Sequence, residues 1–179
     1  MSFAGAESTK PPENFKEVVE AHWTAVYRLV YSLCGDRHDS EDLTQETFFK
    51  ALRRWDSFKQ GTNLRAWLLR IASNTFFDVR RKKQALKINS LTQDVMSAAK
   101  STENTLEDRE QGELVRIAMQ ELTELTRLVF HLRVTEDLSF KAIAELAGIT
   151  EVAARQHMHQ ARLKLLKRLG ESAPEKSSP

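Results

Sequence analysis

At 179 residues the chain has room for one domain or two small ones. Hydrophobic residues make up 41% and charged residues 29%, which excludes a single large core and favours small helical units. A net charge of only +2 hides a polarity, with acids gathered at 36–46 and 103–113 and bases at 80–83 and 162–168.

Residues 1–12 are polar and carry no apolar run, so they read as a disordered tail and not as a signal peptide. No apolar run approaches the roughly 20 residues a membrane helix needs, so no membrane insertion is expected. The interior is poor in breakers, with 6 Gly in the whole chain and all 4 of its Pro at the ends. Residues 14–34 place Phe15, Val18, Val19, Trp23, Val26, Leu29, Val30 and Leu33 at helical spacing. Cys34 excludes an internal disulfide and suits a reducing cytoplasm, and its apolar neighbourhood predicts a buried thiol and not a redox sensor. Gly35-Asp36 ends this helix.

Asp39, with Asp42 three residues on, predicts a capped helix start. That helix is expected to bury Leu43, Phe48, Ala51, Leu52 and Trp55. Phe58 to Asn63 reads as a loop turning at Gly61. A third helix runs from Leu64 to Ser73 with Trp67, Leu68 and Ile71 inward. A break near Asn74 then leads to a fourth, which ends in Arg80-Arg81-Lys82-Lys83.

Residues 84–104 are polar and read as a flexible linker. Thr105 with Asp108 predicts a second capped start, opening a helix to about Leu122. Helices near 124–135 and 139–147 follow, with Ser139 as the cap of the latter. Gly148 supplies the positive φ of a tight turn. A last helix runs from about Thr150 to Leu169, and 170–179 form a second tail. No strand is expected. Residues 139–164 have the pattern of a helix-turn-helix: Phe140, Ile143, Ala144 and Ala147 face Ala154, Met158, Ala161 and Leu165. The outer face of the second helix carries Arg155, Gln156, His159, Gln160 and Arg162. Arg pairs in two-point fashion with guanine and Gln with adenine, so this face suits a major groove, with Lys164, Lys167 and Arg168 nearer to phosphates. His157 and His159 are two apart and fall on different faces, which disfavours a metal.

With these motifs in order, the chain resembles a bacterial extracytoplasmic-function sigma factor over about residues 14–169. Asp39-Ser40-Glu41-Asp42-Leu43-Thr44-Gln45-Glu46-Thr47-Phe48 is similar to that family's polymerase-binding helix. Trp55 to Phe58, followed by Leu64 to Asn74, is similar to its −10 segment, and Leu138 to Ile149 to its −35 helix-turn-helix. The resemblance implies an all-α chain of two small helical domains. A sigma-2-like bundle would occupy 13–83, a linker 84–104 and a sigma-4-like unit 105–169.

It also implies roles. Asp42, Leu43, Gln45 and Glu46 match positions that contact the clamp helices of the largest subunit of core RNA polymerase; the bland alternative for the acids is helix-start stabilisation by the macrodipole. The polymerase flap is a further expected contact. Phe58, Trp67 and Asn74 match the −10 pocket, where aromatics stack splayed bases and an amide reads them, although Trp67 also fits a core role. Arg70, Arg80, Arg81 and Lys82 would hold phosphates or form a solvated charge run. Ser139, Arg155, Gln156, His159, Gln160 and Arg162 match the −35 side. The chain differs from the family's usual Gly-Thr-Val helix opening, with Val152-Ala153-Ala154, and has Thr123 where Pro is common.

The implied function is transcription initiation from promoter DNA, without enzymatic activity or cofactor, regulated by an anti-sigma protein partner. No Gly-rich phosphate loop, Ser/His/Asp arrangement or metal set argues for an enzyme. The alternatives are a helix-turn-helix regulator that acts without polymerase and a sigma mimic that titrates an anti-sigma factor.

Overall fold

A computed structural model of the chain describes residues 14–89 and 117–171. The chain divides into two compact units, Met1–Met96 and Ser97–Pro179. Among the described residues every regular element is helical and there is no strand. The tails at 1–12 and 172–179, most of the linker and the expected capped start at Thr105 and Asp108 lie outside the described residues.

In the first unit, α1 (Phe15–Cys34), α2 (Arg37–Arg53) and α3 (Leu64–Asn89) each pack on the other two. α1 ends at Gly35, whose φ of 71° lets its amide close the last turn on the Tyr31 carbonyl. Asp36 then swings extended and caps α2, accepting from the Asp39 amide at 2.8 Å. The cap is therefore Asp36 and not Asp39, and the helix starts at Arg37. The Asp39 carboxylate instead accepts from Lys83 Nζ of α3 at 3.3 Å.

The core is built from Val26, Leu29, Val30 and Leu33 of α1, Phe48 and Ala51 of α2, and Leu68, Leu69, Ala72 and Phe76 of α3. α2 departs from the expected face. Leu43 is only half-buried and Leu52 is exposed, while Ser40, Thr44 and Thr47 are buried. Short side chains let the helices approach closely, and the Thr47 hydroxyl bonds the Leu43 carbonyl of its own helix at 2.7 Å. Cys34 is half-buried against Ser40, with Sγ 3.0 Å from the Ser40 hydroxyl. Burial pushes its thiol up, against smaller lowering effects of its hydrogen bonds with the Ser40 hydroxyl and the Asp36 carbonyl, so it is not an activated nucleophile.

α3 shows no break at Asn74. It is one helix to Asn89, past the expected end at Lys83. Asn is a modest helix former. Here it faces solvent, while buried Ser73, Thr75 and Phe76 carry the packing face straight through. A 3-10 turn at Trp55–Ser57 and a loop bending at Gly61, φ 80°, lead into α3, where Asn63 accepts from the Ala66 amide at 3.0 Å.

In the second unit, α4 (Glu124–Val134), α5 (Phe140–Ala147) and α6 (Glu151–Glu171) pack in the same pairwise way. Their starts are capped by Thr123, Ser139 and Thr150, whose hydroxyls accept from Thr126, Ala142 and Ala153 amides respectively. Leu128, Val129 and Leu132 meet Ile143, Ala144, Ala154, Met158 and Ala161 in the core. Arg127 is buried too, and its guanidinium donates to the carbonyls of Met119, Gln120 and Leu122, closing the turn before α4.

Gly148 holds φ 67° between α5 and α6 and has nothing within 4 Å of where a Cβ would stand. Its role is therefore purely conformational. Gly148→Ala should lower stability by about 1 kcal/mol, read as a drop in the thermal midpoint, while helix content at room temperature stays the same.

Candidate functional site

The first unit presents two candidate faces. One lies along α2, where Asp42, Gln45 and Glu46 are exposed and Leu43 is half-buried beside them. Phe49, 54% exposed, and Leu52, 40% exposed, continue this stripe at helical spacing. Sequence reasoning missed Phe49 and assigned Leu52 to the core. The acids are weakly engaged: Asp42 lies 3.8 Å from His38 and Glu46 3.5 Å from Lys50, both as neighbours one turn apart on one helix. Arg53 lies over the Phe49 ring at 5.6 Å. The result is an apolar strip with an acidic end and a basic end.

The second face is a groove of about 410 Å³ between the 54–62 segment and α3, lined by Arg54, Ser57, Lys59, Thr62, Trp67, Arg70, Ile71 and Asn74. Small-ligand pockets span roughly 300–1,000 Å³, so the groove lies at the lower end of that range. Trp67, Arg70 and Asn74, at i, i+3 and i+7 on one face of α3, all line it. Arg54, Lys59 and Thr62 complete it, and sequence reasoning missed all three. The only signal was a scatter of polar residues in a loop.

Phe58 does not line this groove. It is 8% exposed and packs 5.4 Å from Trp55 and 5.3 Å from Trp67. Phe15 and Trp67 both meet Trp55 edge-on, at 5.6 and 5.8 Å. Phe58 is thus a buried support for Trp67 and not an open stacking surface. Trp67 is half-buried, with part of its ring in the cluster and part on the groove wall. Both roles considered for it, core and platform, are geometrically open to one side chain.

Farther along α3, Arg80, Arg81 and Lys82 are exposed, and Arg81 is paired with Asp78. These bases extend from the groove along the same helix.

In the second unit, Arg155, Gln156, His159, Gln160 and Arg162 are all exposed on α6. Val152, 65% exposed, precedes them on the same side. His157 turns inward, and its Nδ1 lies 2.9 Å from the Thr126 hydroxyl of α4. The two histidines therefore occupy different faces. Ser139 is exposed but its hydroxyl is engaged as the cap of α5.

A three-helix unit with a polar groove, followed by a helix-turn-helix, is matched by known sequences. Residues 18–86 match the profile of Sigma-70 region 2 and residues 113–165 that of Sigma-70, region 4. The chain belongs to the sigma-70 family. It is 32% identical over 155 residues to the ECF RNA polymerase sigma factor SigE of Mycolicibacterium smegmatis, covering 85% of this chain and 60% of that protein. The chain thus spans 60% of the length of that relative. It is 26% identical to the ECF RNA polymerase sigma factor SigW of Bacillus subtilis, covering 87% of this chain and 88% of that one. The fold matches that of the sigma factor RpoE from Bartonella quintana, solved with the anti-sigma factor NepR, at a TM-score of 0.78 and 25% identity over 90% of this chain and 99% of that one. In this chain the α2 stripe and the α3 groove both fall within the region 2 match, and α5 with most of α6 within the region 4 match. No described helix is long and apolar enough to cross a membrane.

Proposed function

We propose that this sigma factor binds core RNA polymerase through the α2 stripe, reads and melts the −10 element in the α3 groove, and reads the −35 element with α6. It acts without catalysis of its own, in the cytoplasm. The observation that carries this reading is the groove that gathers Trp67, Arg70 and Asn74 with Arg54 and Lys59, in the same small unit as an exposed acidic and apolar helix face. An aromatic edge, an amide and cations are what a flipped base and its phosphates require. Asp42, Leu43, Gln45 and Glu46, with Phe49, form the polymerase-facing strip. Arg80, Arg81 and Lys82 continue the phosphate path.

Each DNA contact alone is small, and tethering both through the polymerase raises their effective concentration. A regulator independent of polymerase would leave the α2 stripe without a role. The Bartonella relative was solved with an anti-sigma factor, which supports a protein inhibitor as a partner of this chain as well.

Run-off transcription with core enzyme on a random promoter library tests the reading. Products should start from a shared pair of spaced elements, and only when both protein components are present. Equal transcription from every template would sink it.

A further inference from the structure

The guanidinium of Arg155 is held from two sides on the outer face of α6. Glu151, one turn earlier, is hydrogen-bonded and ion-paired to its Nη2. Phe140, the first residue of α5, lies beneath it, with the Arg155 Cζ 4.7 Å from the ring centroid. The Gly148 turn brings this ring, 15 positions earlier in the chain, under the start of α6. Arg133 of α4 lies over the same ring at 5.6 Å and is held by the Asp137 carboxylate at 2.8 Å and the Leu138 carbonyl at 3.2 Å. Two cations share one aromatic ring, and each has its own carboxylate.

This arrangement costs Arg155 its freedom. An exposed Arg normally samples many rotamers and settles on the nearest phosphate, a contact that carries no sequence information. Here the ring fixes the guanidinium by a cation–π contact, and Glu151 offsets its charge. Glu151 also stands in the first turn of α6, where it opposes any phosphate drawn to the helix start. The Arg155 side chain is still 59% exposed, and residues near the start of a recognition helix are those that reach base edges.

We infer that Glu151 and Phe140 are positioning residues that hold Arg155 to read one guanine of the −35 element and keep it from the phosphates. The inference rests on the reading of α6 as the −35 helix. Glu151 thereby sharpens specificity at the expense of general DNA affinity, since an offset cation contributes little to phosphate binding. Phe140 supplies the aromatic platform that keeps the guanidinium plane oriented.

The test uses the full chain with core polymerase, transcribing a library randomised across the −35 element, with wild type, R155A, E151Q and F140L compared. Wild type should prefer guanine at one position by about tenfold or more, and R155A should remove that preference. E151Q should melt at the same temperature, keep its −10 preference and lose most of the guanine preference. Its DNA affinity should gain about one unit of salt slope as the cation is freed. F140L should also lose preference, without the steeper salt slope. If E151Q lowers output equally on all templates with the guanine preference intact, the clamp is refuted while the −35 reading stands. If R155A leaves the −35 preference of wild type untouched, the reading of Arg155 fails first, and the clamp with it.

Discussion

Asp42→Arg should reduce binding to core RNA polymerase by about 100-fold or more while leaving the fold unchanged. The Asp42 carboxylate is exposed, and its contact with His38 at 3.8 Å is an exposed one. Such pairs contribute about 0–1 kcal/mol, so the substitution should leave thermal stability within roughly 0.5 kcal/mol. At a docked interface the outcome is different. A like charge pressed against a complementary surface costs several kcal/mol, and about 2.7 kcal/mol is already 100-fold. The neighbouring Phe49 ring, over half exposed, gives the same stripe an apolar anchor, which strengthens the case that α2 docks on a protein. Surface-immobilised core enzyme titrated with each variant reads the effect. Unchanged affinity for the Asp42→Arg protein would remove α2 from the interface.

The second large effect belongs to the groove. The double variant Arg70→Ala with Asn74→Ala should bind core polymerase normally and fail to open promoters, with open complexes reduced by about 100-fold. Both side chains are exposed on α3 and neither carries packing in the core, so unit stability should be preserved. On the proposed reading, the loss is of an amide facing a flipped base and a cation facing its phosphate. A side-chain hydrogen-bond pair with a base contributes about 1–3 kcal/mol and each phosphate contact adds to it, so the two losses together reach the stated size. Permanganate reactivity of thymines in the −10 element measures melting directly. Full reactivity with the double variant would show that bases are captured elsewhere.

The two effects separate because the two faces share no side chain that both experiments change. Lys50 is the nearest link between them. Its Nζ lies 3.5 Å from Glu46 on the α2 stripe and 3.3 Å from the Thr75 hydroxyl, next to Asn74.

Much of this was legible in the residues. The exposure of Arg155, Gln156, His159 and Gln160 follows from helical period alone, because Ala154, Met158, Ala161 and Leu165 form an apolar face on the same helix. Gly35 and Gly148 were legible as turns because only a left-handed residue ends one helix and starts another so abruptly. The misreadings also have physical causes. The cap of α2 moved from Asp39 to Asp36 because Asp36 follows directly on the left-handed Gly35 and is already extended. The expected break at Asn74 rested on propensity, and packing of Ser73, Thr75 and Phe76 overrode it. Leu52 looked like core by its type, but small polar residues, Ser40, Thr44 and Thr47, take the inner face of α2. Phe58 carries an aromatic ring that serves equally as a stacking platform or a buried support, and only its neighbours decide.

By itself the sequence determined the all-helical architecture, the helix-turn-helix and the polar face of each functional helix. These depend on spacing along one chain segment, which the residues state directly. The tertiary structure alone decided which loop residues join Trp67, Arg70 and Asn74 in a groove, that Phe58 lies beneath Trp67, and that Phe140 sits under Arg155. Each of these is a contact between segments separated along the chain, and periodicity within a helix carries no information about what packs across from it.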